Sequence, residues 1–183
     1  VGQSRESLSV RFRLIGDNSS SASDWQSCKI PRGEQSTGKG CSLAMRDAQL
    51  WSVRRPFTYQ LQAQVLGADG SSGDVLDEVN TTIGIRAARW DAKKGFFLNE
   101  QRVRLKGFCN HNSFVGVGVA VPDRINLFRA QQLRGVGGNA WRMSHNPPNP
   151  VLLDILDRLG VTVWDEIGLV WDETGKTVWD ETG

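Results

Sequence analysis

The sequence predicts a β-sandwich followed by the opening strands of a (β/α) barrel, and three observations carry that prediction. Residues 1 to about 88 alternate apolar and polar side chains with period two, in short runs broken by polar turns. From residue 89 the pattern becomes strand, helix, strand, helix, strand with short connections, as in parallel strands joined by crossovers. Residues 138–150, GNAWRMSHNPPNP, give a short strand that ends in Arg142, Ser144 and His145 before a turn into a helix. Barrels present polar groups to a ligand at such strand ends.

The first elements follow from period and punctuation. Leu8-Ser9-Val10-Arg11-Phe12-Arg13-Leu14 alternates as a half-buried strand does, and residues 16–23 form a loop rich in Gly, Asn and Ser. Asn18-Ser19-Ser20 and Asn80-Thr81-Thr82 fit the glycosylation sequon, which matters only in a secreted protein. Residues 57–65 form the cleanest alternation, closed by the turn Gly67-Ala68-Asp69-Gly70, and residues 75–85 are read as a further strand pair.

Beyond residue 89, Phe96-Phe97-Leu98, a turn at Asn99-Glu100 and residues 103–108 read as a hairpin running into a longer strand. Asp123 after Pro122 is the expected N-cap of a helix whose apolar face is Ile125, Phe128, Leu133 and Val136, ended by Gly135, Gly137 and Gly138. A strand at 139–143, a helix from Asn149 to Leu159 with Gly160 at its C′ position, and a strand at 161–164 complete the series. A third strand with an open edge predicts poor solubility. The last residues repeat VWDETG in a period too short for a structural unit, so 167–183 is not read as barrel sequence.

Composition excludes several classes. At 183 residues, 39% hydrophobic and 23% charged, the chain has the make-up of a soluble globular protein. A net charge of +2 leaves no electrostatic footprint for nucleic acid or anionic lipid. No apolar run approaches the roughly 20 residues of a membrane helix. The chain begins Val1-Gly2-Gln3-Ser4 without an initiator Met or signal-peptide pattern, so it reads as a fragment, with a cytoplasmic origin favoured. Three cysteines, Cys28, Cys41 and Cys109, match no metal-ligand spacing. Free buried thiols are expected, with a Cys28–Cys41 pair left open for an oxidising compartment.

The chemistry gathers at strand ends. His111 and His145, the two histidines, each follow a predicted parallel strand, with Arg142 beside the second. Asn110, Asn112, Ser144 and Asn146 flank them with neutral donors and acceptors, which suit a hydroxyl-rich ligand better than a phosphate. No phosphate-binding or dinucleotide glycine pattern is present, and no carboxylate stands at ligand spacing from the histidines, so neither cofactor nor metal is expected. Glycoside cleavage needs two carboxylates about 5–9 Å apart. Asp165 and Glu166 are neighbours that point to opposite faces, and Asn99-Glu100 lies in a hairpin turn, so neither pair is read as catalytic. Trp141 and Trp164 are core residues first and sugar-stacking faces second.

RLKGFCNH at 104–111, PDRINLFRAQQLRGVGGNAWRMSHNPPNP at 122–150 and LLDILDRLGVTVWDE at 152–166 closely resemble glycoside hydrolase family 2, the β-galactosidase and β-glucuronidase group. Residues 76–99 look like the junction between that family's immunoglobulin-like domain and its TIM barrel, and Ala48-Gln49-Leu50-Trp51-Ser52 resembles a strand motif inside the sandwich. The resemblance implies an immunoglobulin-like β-sandwich at 1–88 and the first part of a truncated (β/α)8 TIM barrel at 89–183. It implies a retaining β-glycosidase, first of all a β-galactosidase, with a β-glucuronidase-type member or a non-catalytic sugar-binding remnant as alternatives. Substrate contacts are then expected from Asn110, His111, Arg142, His145, Asp165 and Glu166. Both catalytic glutamates are expected on later barrel strands, and a β-galactoside is the expected partner of a full-length protein that is open to homo-oligomerisation. After Glu166 the family pattern fails at Ile167-Gly168-Leu169.

Overall fold

In the computed structural model the residues described are 9–16, 23–29, 42–45, 47–67, 74–144 and 146–166. The Asn18 sequon, Cys41, His145 and the 167–183 tail lie outside them. The chain divides into two compact units, residues 1–50 with 57–85, and residues 51–56 with 86–183.

In the first unit, β1 (Ser9–Gly16), β2 (Gln26–Lys29), β3 (Tyr59–Leu66) and β4 (Val75–Ile83) form an antiparallel sheet in the order β2-β1-β3-β4. Residues 75–83 are one strand rather than the expected pair. Their ladder to β3 runs unbroken from Tyr59↔Ile83 to Val65↔Asp77, with an irregularity only between Val65 and Leu66. Leu14, Tyr59 and Leu66 are buried. Cys28 is disulfide-bonded, against the expectation of a free thiol, and Cys109 in the second unit is free and exposed.

One face of this sheet is a polar ladder. Arg11 Nε donates to Gln64 Oε1 (2.7 Å) and Arg13 Nε to Gln62 Oε1 (2.8 Å). Both amides then donate to Glu78, whose carboxylate also accepts from Asn80 Nδ2. Bonds from Gln64, Gln62 and Asn80 favour the charged form and hold the Glu78 pKa at about 2, below the ordinary 4.5. A depressed folded pKa adds stability that is complete above the unfolded value and is lost as pH falls through the folded one. Thermal melts of the unsubstituted chain should therefore decline between pH 4.5 and about 2, and Glu78→Gln should flatten that decline. Parallel pH profiles for the two proteins would contradict it.

The second unit opens with an antiparallel sheet of β5 (Ala88–Asp91), β6 (Gly95–Leu98) and β7 (Gln101–Arg102). Asn99 and Glu100 connect β6 to β7 with left-handed φ values of 50° and 61°, the conformation a two-residue hairpin requires. Asn99 Oδ1 accepts from Ala87 N and its Nδ2 donates to Trp51 O, so this residue is a structural clamp. Ala48 to Ser52 is not a strand, contrary to the sequence motif. Trp51 is instead buried within the second unit, its Nε1 donating to Asp157 O at 2.8 Å.

β8 (Gly107–His111), β9 (Ala140–Ser144) and β10 (Thr162–Trp164) form a parallel sheet in the order β10-β9-β8. β8 starts later than the expected residue 103. It lies so close to β9 that a side chain at Gly107 would overlap the Ala140 carbonyl. The helices α1 (Asp123–Gly135) and α2 (Pro150–Leu159) join the strands. α2 matches its sequence signals: Asn149 accepts from Val151 N, and Gly160 ends the helix with φ 69°. α1 departs from them. Pro122 is its N-cap, without a side-chain bond, and Asp123 is already helical. Its buried residues are Asn126, Ala130 and Leu133, whereas Phe128 and Val136 are exposed. Of the expected stripe, Leu133 is buried, and it joins Ala130 in the core. The core is Ala130, Leu133, Trp141, Met143, Leu152, Leu156 and Val161.

Candidate functional site

Alternation along β9 separates two jobs. Trp141 and Met143 enter the core, so Ala140, Arg142 and Ser144 stand on the other face of the sheet. The parallel register sets Cys109 and Trp164 on either side of Arg142, and His111 beside Ser144.

Arg142 is the hub. Its Nη2 pairs with Glu166 Oε1 at 2.5 Å, just beyond the end of β10. Its Nη1 donates to Cys109 Sγ (3.3 Å) and to Ser144 Oγ (3.1 Å). The hydrogen bond from Arg142 draws the Cys109 thiol below its ordinary pKa, with a smaller contribution from Ser144. The same contact, followed by the Glu166 charge, raises the Arg142 guanidinium. Ser144 is buried, and Arg142 and Glu166 are half-buried.

The other candidates are less closely knit. Asn110 Nδ2 donates to Phe108 O on its own strand, and Asp165 Oδ1 accepts from Glu166 N. His111 is exposed, and its carbonyl accepts from Arg129 Nη2 at 2.9 Å. Asn112 Nδ2 donates to Pro147 O, tying the loop after β8 to the loop after β9. The structure thus joins Arg142 to Glu166 directly and brings His111 alongside by register. Asn110 and Asp165 make local bonds only.

Cys109 is the member that sequence reasoning missed. It precedes His111 by two residues on one strand, so period-two alternation puts both on the same face. Trp141 is core, whereas Trp164 is 58% exposed and meets Trp90 edge-on at 6.2 Å. A cavity of about 650 Å³ in this unit includes Trp51, Trp90, Phe96, Arg142, Trp164 and Asp165 in its lining. An aromatic wall beside an arginine–carboxylate pair suits a ligand with one apolar face and many hydroxyls.

Among the described residues no three His, Cys, Asp or Glu side chains gather to hold a metal ion. No described helix is long and apolar enough to cross a membrane.

Comparison with known proteins locates these features. Residues 1–86 match the model of glycosyl hydrolases family 2, and residues 91–180 match that of the glycosyl hydrolases family 2 TIM barrel domain. The β-galactosidase BoGH2A of Bacteroides ovatus is 36% identical over 143 residues, 76% of this chain and 16% of that protein. A β-glucuronidase of Bacteroides fragilis is 33% identical over 129 residues, 70% of this chain and 18% of that one. The crystal structure of a glycosyl hydrolase family 2 member from Bacteroides cellulosilyticus superposes with a TM-score of 0.77 at 32% identity, covering 90% of this chain and 21% of the other. The chain spans less than a fifth of the length of these two curated relatives.

Proposed function

Since the chain belongs to glycosyl hydrolases family 2, we propose that it carries part of the sugar-binding centre of a retaining β-glycosidase that acts on β-galactosides. Its fold is an immunoglobulin-like domain followed by the opening strands of a TIM barrel. The observation that carries the reading is the Arg142–Glu166 pair at the carboxyl ends of β9 and β10, the face on which TIM barrels bind substrate. Glu166 offers acceptors to sugar hydroxyls and Arg142 fixes its orientation, while His111 and Asp165 add polar groups at neighbouring strand ends.

Cleavage requires a second carboxylate at a set distance across the bond. In this reading both catalytic glutamates come from later barrel strands, so the chain binds without cleaving. A β-galactosidase at 36% identity supports the galactoside, and a putative β-glucuronidase of Formosa agariphila at 39% identity supports a glucuronide as the second reading. The 183-residue chain should give heat on titration with galactose and no product from nitrophenyl β-galactoside. Hydrolysis by this chain would contradict the placement of the glutamates elsewhere. Tighter binding of glucuronate than of galactose would move the reading to the β-glucuronidase side of the family.

A further inference from the structure

The chain's net charge of +2 conceals a local excess of positive charge. Residues 89–106 hold six Arg and Lys side chains against two carboxylates, and both carboxylates are engaged nearby. Glu100 pairs with Arg89 at 3.2 Å. Asp91 Oδ1 accepts from Lys93 N (2.9 Å) and Lys94 N (2.8 Å), which shapes the turn between β5 and β6. Among the described residues, Lys94, Arg102 and Arg104 form no ion pair with a carboxylate.

These three cations surround one concavity. A cavity of about 430 Å³ has Trp90, Lys94, Phe96, Arg102, Arg104 and Leu105 in its lining, and no carboxylate. Its aromatic wall is built on the hairpin sheet, where Trp90 and Phe96 are partners in register with ring centres 4.8 Å apart. Val103 N donates to Phe96 O (2.9 Å), which holds the segment bearing Arg102 and Arg104 against β6. Trp90 is 61% exposed, so its indole offers a flat apolar face. Arg104 precedes β8, so this cavity lies toward the amino end of that strand, whereas the Arg142–Glu166 pair stands at the carboxyl ends of β9 and β10.

We propose that this basic, aromatic-walled cavity is a second saccharide site, one that takes an acidic oligosaccharide. Sugar rings lie on Trp90, and uronate carboxylates meet Lys94, Arg102 and Arg104. A cleft lined by one sign of charge concentrates its counter-ions, and guanidinium forks take a carboxylate through two parallel hydrogen bonds. Three cations are few for a nucleic-acid duplex, which proteins hold through about 6–10 phosphate contacts. The site does not depend on the galactoside reading, because neither Arg142 nor Glu166 lines this cavity.

The test titrates the 183-residue chain with trigalacturonate, neutral cellotriose and a ten-residue oligothymidylate. Trigalacturonate should bind about tenfold or more tightly than cellotriose, and added salt should weaken it. An Arg102→Gln, Arg104→Gln double variant should lose about tenfold or more of that affinity while keeping its far-ultraviolet circular dichroism. Arg142→Met should leave trigalacturonate affinity unchanged. Equal affinity for the acidic and neutral trisaccharides, or no heat from trigalacturonate, overturns the proposal. So does an affinity that survives in the double variant and disappears in Arg142→Met, which moves the acid to the other site. Oligothymidylate binding that exceeds trigalacturonate binding and is lost in the double variant assigns the cavity to nucleic acid instead.

Discussion

Trp141→Ala is expected to cost the second unit about 3–5 kcal/mol, the usual range for removing a large aromatic side chain from a packed interior. The indole is 1% exposed and sits in the cluster of Ala130, Leu133, Met143, Leu152, Leu156 and Val161, which seals the sheet against both helices. Arg129 covers its ring at 5.1 Å. A domain stable by about 5–15 kcal/mol would lose a large share of that margin. The same side chain carries a local conflict, because its Nε1 is buried without a hydrogen-bond partner. A buried unsatisfied donor costs about 1–3 kcal/mol. Trp141→Phe removes the donor and keeps most of the apolar volume, so it should cost about 1 kcal/mol or less. Denaturant titrations of the three proteins give the comparison. If phenylalanine proves as damaging as alanine, packing alone does not explain the position.

Arg142→Met, one residue along and on the opposite face, should have the reverse profile. Its ion pair with Glu166 joins side chains that are 40% and 19% exposed, and pairs with solvent access contribute about 0–1 kcal/mol to folding. Stability should barely move. Galactose binding should fall tenfold or more, since hydrogen bonds from a charged group are worth about 1.5–3 kcal/mol. A second readout separates positioning from simple damage. Arg142 holds the Cys109 thiol below its ordinary value of 9.0, so the folded protein forms thiolate at lower pH than a free cysteine does. Removing the guanidinium should move the pH midpoint of Cys109 alkylation upward, toward 9.0, as read on the peptide that carries it. An unmoved midpoint would mean that Arg142 does not govern the thiol.

These two neighbours mark what the sequence could and could not convey. Period two along β9 is local, and the cap signals of α2, Asn149 and Gly160, lie next to the helix they delimit. Both were legible because the information and the structure sit within a few residues of each other. The inward face of α1 was legible only at Leu133, because the helix also buries small Ala130 and polar Asn126 and leaves exposed the bulky Phe128 that a hydrophobicity pattern selects. Trp51 reads as part of the sandwich by position, yet its partner Asp157 lies 106 residues away. The candidate site mixes both kinds of information. His111 and Arg142 are strand-end residues that the pattern places. The Arg142 contacts to Cys109 and Glu166 depend on the register of three parallel strands, and no single segment contains it.

The Trp51 to Asp157 bond also has a consequence in time. Residues 51–56 leave the ribosome with the first unit but belong to the second, and the carbonyl that receives the indole is synthesised 106 residues later. At about 5–20 residues per second that is a wait of roughly 5–20 s. Through that interval a large indole is on the nascent chain without its final berth. Strands β1 and β3 of the first unit can pair while residues 51–56 still wait for α2. Release of Trp51 from solvent, followed by quenching on stalled nascent chains of increasing length, should therefore come after the strands around it have paired and only once the chain extends past Asp157.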